Sequence, residues 1–183
     1  MPASGPAWPV LGAMLVGVLL AGPAAAEERP AEPDGPLLAW SVGAIDVVDP
    51  EPRTLLSIEW RYQTGRRVPY PWLALETTAH DQFFAFGMYG DLPLGHRWRF
   101  TPSAGAAIYQ QNGGLDLGFH LEFRTAAEFT CRVGGARRIG VSFGHFSNAY
   151  LGDTNRGTEF LKAVLIVPMR TRAGTGGASG PPD

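Results

Sequence analysis

The stretch LGFHLEFRTAAEFT, residues 117–130, places Leu117, Phe119, Leu121, Phe123 and Phe129 on one face of an extended chain. Gly118, His120, Glu122, Arg124, Ala126 and Glu128 fall on the other. A greasy face backed by an ionic one at period two predicts a strand. It is long enough to supply the roughly 9–11 tilted residues that cross a bilayer. The pattern recurs on either side. In 55–63, Leu56, Ile58, Trp60 and Tyr62 oppose Ser57, Glu59, Arg61 and Gln63. In 97–108, Trp98, Phe100, Ala104, Ala106 and Ile108 oppose Arg97, Arg99, Thr101, Ser103 and Gly105. Weaker alternation covers 37–48, 71–79, 82–90, 138–148 and 158–167. The segments are separated by Asp49-Pro50, Thr64-Gly65, Leu94-Gly95, Asn112-Gly113-Gly114 and Gly134-Gly135. No segment has a helical period. Eight such strands predict an all-β fold, an eight-stranded antiparallel up-and-down transmembrane β-barrel.

Alternation by itself does not say which face is inside, since a soluble lipid-binding barrel turns its apolar face inward. Strand length favours the membrane barrel. So do Trp40, Trp60, Tyr62 and Trp98 on the apolar faces, suited to an interfacial girdle. Glu59, Arg61, Arg97, Arg99, Glu122, Arg124, Glu128 and Lys162 are suited to a narrow lumen filled by paired ions.

The 183-residue chain has length for one domain. Residues 1–26 read as a signal peptide: Val10–Ala21 is an uncharged apolar run, and Ala24-Ala25-Ala26 fits a cleavage site, although no Lys or Arg precedes the run. The run is too short for a transmembrane helix. Residues 27–36 form an acidic, proline-rich flexible segment, 37–169 the barrel, and 170–183 a flexible tail rich in Gly, Thr and Pro. A net charge of −2 with scattered Lys and Arg argues against nucleic acid as a partner. The single cysteine, Cys131, excludes an intrachain disulfide and a multi-cysteine metal site. His80, His96 and His120 lack the spacing of a metal site, which favours structural or lumen roles for them.

The chemistry-bearing segment is 141–168. His145 and Ser147 lie two apart on one strand and leave the same face. Asn155-Arg-Gly157 turns the chain, and Glu159 returns on the next strand, where opposed Cβ atoms are roughly 4.5–5.5 Å apart. A serine hydroxyl needs a base to become a nucleophile, and a carboxylate behind the base fixes its tautomer. Asn155, Asn148 or a backbone N–H of the loop can supply oxyanion donors. All three of His145, Ser147 and Glu159 share the apolar face of their strands. Polar groups there are costly unless they serve a membrane-embedded substrate. With both termini in the periplasm, the link between the last two strands is extracellular, which puts the three residues at the outer leaflet.

The blocks His145-Phe-Ser147-Asn148-Ala149 and Asn155-x-Gly157-x-Glu159 resemble those of the lipid A 3-O-deacylases, the outer-membrane PagL-type acyloxyacyl hydrolases. The resemblance implies Ser147 as nucleophile, His145 as base, Glu159 as orienting acid and Asn155 as oxyanion donor. It further implies hydrolysis of the ester-linked 3-hydroxyacyl chain at the 3-position of lipid A without a cofactor. Lipopolysaccharide and outer-membrane lipids are the implied partners, with a homodimer left open. Two departures stand out. Tyr150 follows Ala149 where the family carries a small residue, bearing on a backbone oxyanion contact there, and the chain runs on past Pro168. A non-enzymatic outer-membrane barrel and a periplasmic lipid-binding barrel are the alternative readings.

Overall fold

The computed structural model describes residues 35–63 and 69–169. The signal segment, most of the acidic segment, the Thr64-Gly65 turn and the C-terminal tail lie outside the described residues. Nine strands follow one another: β1 Gly35–Ile45, β2 Arg53–Gln63, β3 Tyr70–Thr77, β4 Gln82–Tyr89, β5 Leu92–Leu94, β6 Trp98–Gln110, β7 Leu121–Gly134, β8 Arg137–Ser147 and β9 Thr158–Pro168. Every pairing is antiparallel between neighbours, and two contacts, β1 with β9 and β4 with β6, close the sheet on itself.

Nine strands make eight staves. Gln82 pairs with Gln110 and Leu92 with Phe100, so β4 and β5 keep one register along β6. The break between them falls opposite Pro102, which accepts from Gly90 N–H at 2.9 Å but has no N–H to return. The eight-stranded expectation therefore holds, with one stave interrupted by a missing donor.

The faces sort as the alternation requires of a membrane barrel. Trp40, Leu56, Tyr62, Leu75, Phe84, Trp98, Phe129 and Val141 are exposed outside, where lipid takes the place of a protein core. Inside, the lumen is layered. Across its middle Arg61 holds Glu59 at 2.6 Å and grips Glu128 with two bonds of 2.8 and 2.7 Å. Arg124 bridges Glu59 (3.2 Å) and Glu76 (2.8 Å), and Lys162 completes the belt on Glu76 at 2.8 Å. Three cations thus face three carboxylates. The lumen is not ionic throughout, as the charged faces suggested. Phe83, Tyr109, Phe146 and Phe160 are buried in a second, aromatic layer, with Phe83 stacked on both Tyr109 and Phe146, while Trp72 lies against Arg124 of the belt.

Both ends of the barrel chain meet at one rim, where Leu37 pairs with Pro168. The connections 46–52, 78–81, 111–120 and 148–157 gather at the opposite rim and are the longer set, as in barrels whose outer loops carry function. Some boundaries moved. β1 starts at Gly35, inside the stretch assigned to the N-terminal segment, and stops where Asp46 turns to φ 62°. β7 begins at Leu121, not 117. Gly118 sits at φ +83° and gives its N–H to Asp116 Oδ1 at 3.0 Å, so residues 117–120 alternate like a strand while belonging to a loop. Leu117 turns inward and is buried instead of sharing the outer face with Phe123.

Candidate active site

The last two staves carry the site. β8 and β9 pair so that His145 lies directly opposite Glu159, and the imidazole Nδ1 is 3.2 Å from the Glu159 carboxylate. Both side chains are on the outer face, 40% and 29% exposed, while their neighbours Gly144, Phe146, Thr158 and Phe160 turn into the barrel. Ser147 occupies the next outward position on β8, opposite Phe123 of β7. Below these residues Phe143, Val141 and Leu161 continue the outer face with apolar side chains. An ionisable pair on a lipid-facing wall is thus bonded to itself on one side and open on the other.

Gly157 shapes the open side. Its backbone is left-handed at φ +62°, and a Cβ there would lie 2.8 Å from His145 Cε1 and 3.1 Å from Nε2. The ring edge bearing Nε2 therefore rests against a residue that must lack a side chain. With Nδ1 engaged by Glu159, Nε2 is the nitrogen left for a proton transfer.

The loop after Ser147 is built around Asn148, which is fully buried. Its Nδ2 donates to Leu117 O at 2.8 Å and to Thr154 O at 2.7 Å, and its Oδ1 accepts from Tyr150 N–H at 2.9 Å. Both amide hydrogens being used, Asn148 organises the loop and is not the oxyanion donor that its type suggested. Asn155 comes alongside, its Oδ1 accepting from Asn148 N–H at 3.1 Å, which leaves its own Nδ2 hydrogens for another acceptor. Ala149 (φ 51°) and Tyr150 (φ 63°) form a tight turn closed by Leu151 N–H on Asn148 O at 3.0 Å. Two non-glycine residues in that region are strained, at about 1–3 kcal/mol each, and the Asn148 bonds are what hold them. The Tyr150 N–H is spent on the Asn148 side chain.

Sequence reasoning missed the clasp that ties the first loop to this site. Asp46 N–H donates to Thr158 Oγ1 at 3.2 Å, and the Thr158 hydroxyl donates to Asp46 Oδ1 at 2.9 Å. Val47 N–H reaches Glu159 O at 3.4 Å. These residues are 112 positions apart, and no local pattern joins them. His80 and His120 stay away from the site, His120 Nδ1 lying 3.3 Å from Tyr109 O. No group of three or more His, Cys, Asp or Glu side chains suited to a metal occurs among the described residues.

Comparison with known proteins adds four findings. A solved structure described as the crystal structure of the outer membrane enzyme PagL superimposes with a TM-score of 0.59 at 17% identity, over 73% of this chain and 99% of that one. A de novo designed transmembrane β-barrel gives a TM-score of 0.54 at 11% identity, over 75% and 99%. At such identities both show the barrel fold. No curated protein sequence matches. The family model described as lipid A 3-O-deacylase (PagL) matches residues 53–168, more than half of the chain and the whole of the β8–β9 site, and the protein therefore belongs to the lipid A 3-O-deacylase (PagL) family.

Proposed function

We propose that this protein is an outer-membrane esterase that removes the ester-linked 3-hydroxyacyl chain from the 3-position of lipid A, with Ser147, His145 and Glu159 as its triad. The observation that carries the proposal is the His145–Glu159 pair on the lipid-facing wall, with Ser147 at the next outward position. A soluble hydrolase would enclose such a pair in a pocket; here the face that holds it also holds Phe143 and Leu161. A lipid in the surrounding leaflet reaches it sideways, without passing through the lumen.

In the reaction, His145 Nε2 takes the Ser147 proton as Oγ attacks the ester carbonyl, and Glu159 steadies the imidazolium through Nδ1–H. The Asn155 Nδ2 hydrogens are the donors for the oxyanion. Collapse breaks the bond to the sugar oxygen, which leaves with the proton from His145. Water, deprotonated by the same imidazole, then cleaves the acyl-enzyme and frees a 3-hydroxy fatty acid. The long loops of the site face outward in this reading, with the triad at the outer leaflet, and residues 1–26 direct export.

The test is mass analysis of lipid A before and after incubation with purified protein in detergent. Loss of one 3-hydroxyacyl chain is expected from the wild type and not from Ser147→Ala. An unchanged lipid A with well-folded wild type, or equal release by Ser147→Ala, would refute the proposal.

A further inference from the structure

The rim that carries the site is acidic. Asp49, Glu51, Asp116 and Asp153 reach solvent there, and Asp46 and Asp81 are buried beneath them. Among the described residues of this rim the arginines and lysines number two, Arg53 and Arg156. Arg53 leans on the buried Asp81 at 3.7 Å. Arg156 stands in the site's own turn, its side chain 54% exposed, with Nη2 3.2 Å from Asp49 Oδ2.

That guanidinium is anchored at its base. It follows Asn155, which holds the Asn148 N–H, and precedes Gly157, which touches the His145 ring. Its partner is equally fixed: Asp49 N–H bonds Asp46 O at 3.0 Å, and Asp46 is clasped to Thr158 next to Glu159. An exposed cation is thus held beside the site by residues that flank the proposed triad.

We infer that Arg156 binds a phosphomonoester on the substrate's sugar headgroup and that Asp49 is its resting partner, displaced when the headgroup docks. The inference rests on the deacylase reading above. With the acyl chain lying along the apolar wall, the phosphorylated glucosamine headgroup of lipid A sits at the level of this rim. Carboxylates repel it there and Arg156 does not. An exposed ion pair with one carboxylate contributes little and exchanges readily. A phosphate offers three acceptor oxygens and nearly twice the charge to the planar fork of an arginine. The exchange also gives a role to the one of the rim's two arginines that stands in the site's own turn.

The experiment measures deacylation of bisphosphorylated lipid A, and of the same lipid A after enzymatic dephosphorylation, in neutral detergent micelles. Arg156→Ala should raise KM for the phosphorylated lipid about tenfold, the loss of one charge-assisted hydrogen bond, with kcat within about twofold. On the dephosphorylated lipid its KM should match wild type. Arg156→Lys should fall between. Asp49→Asn, by freeing the guanidinium, should lower KM for the phosphorylated lipid. A pair that only braces the two loops predicts the reverse for Asp49→Asn and equal losses on both lipids, and that result overturns the inference. Wild-type inactivity on both lipids overturns the deacylase reading and this inference together, whereas activity with a substrate-independent Arg156→Ala effect overturns the role of Arg156 alone.

Discussion

At the scale of single residues the site depends on groups that do no chemistry themselves. Ser147→Ala should lower the rate on the order of 10³-fold or more, as removal of a triad nucleophile does elsewhere, with barrel stability unchanged. Gly157→Ala should be nearly as informative. The added methyl would meet the imidazole edge at 2.8 Å and force a left-handed alanine, so the ring must leave its present position. The expected outcome is at least a tenfold fall in kcat in a protein that still migrates as a folded barrel on an unheated gel. Retention of full kcat would show that the ring is positioned otherwise. The residue types of the site were legible in the sequence because His145, Ser147 and Glu159 obey strand parity and Asn155 and Gly157 mark the turn. What parity could not reveal is that Asn148 is consumed by Leu117 and Thr154, since both acceptors are backbone carbonyls, and any residue provides one.

Elements and their connections set the second scale. Strands were readable because an inside-outside alternation leaves no freedom of face, and a one-residue slip would put Arg124 into lipid. Ends were harder to read. The 117–120 segment alternates correctly yet turns at Gly118, and the β4–β5 interruption depends on Pro102 in the partner strand. The same closeness of backbones makes a prediction at Gly87 and Gly105, which face one another across β4 and β6. A Cβ on either would fall 2.1 Å from a carbonyl oxygen of the opposing strand, so Gly105→Val should prevent closure there. The measurable result is loss of the folded species in refolding trials, whereas Ala104→Val, one residue away on the exposed face, should refold normally. In the 148–157 loop, Asn148→Ala would leave two carbonyls and the strained Ala149-Tyr150 turn without their partner. Protease cleavage within the loop should appear, and activity should fall at least tenfold, while the barrel itself resists digestion.

The whole molecule is held by an inverted arrangement, with ions inside and hydrocarbon outside. Removing one member of the belt strands a charge where water is scarce. Glu128→Ala, which deprives Arg61 of its two-bond partner, should cost about 3–5 kcal/mol by urea unfolding in lipid vesicles. Leu165→Ala, which only exchanges one lipid-facing alkyl group for another, should cost far less. If the two variants unfold alike, the belt is not what stabilises the barrel. The sequence by itself determined the number of staves and which residues share a face, because both follow from a period of two; strand length and the aromatic girdle chose the outward face, and spacing with the family resemblance named the three residues of the proposed triad. Only the tertiary structure decided the layered lumen, the Asp46–Thr158 clasp and the meeting of Arg156 with Asp49. Each of these joins positions far apart in the chain, and closing a sheet into a barrel is what makes the first loop and the last loop neighbours.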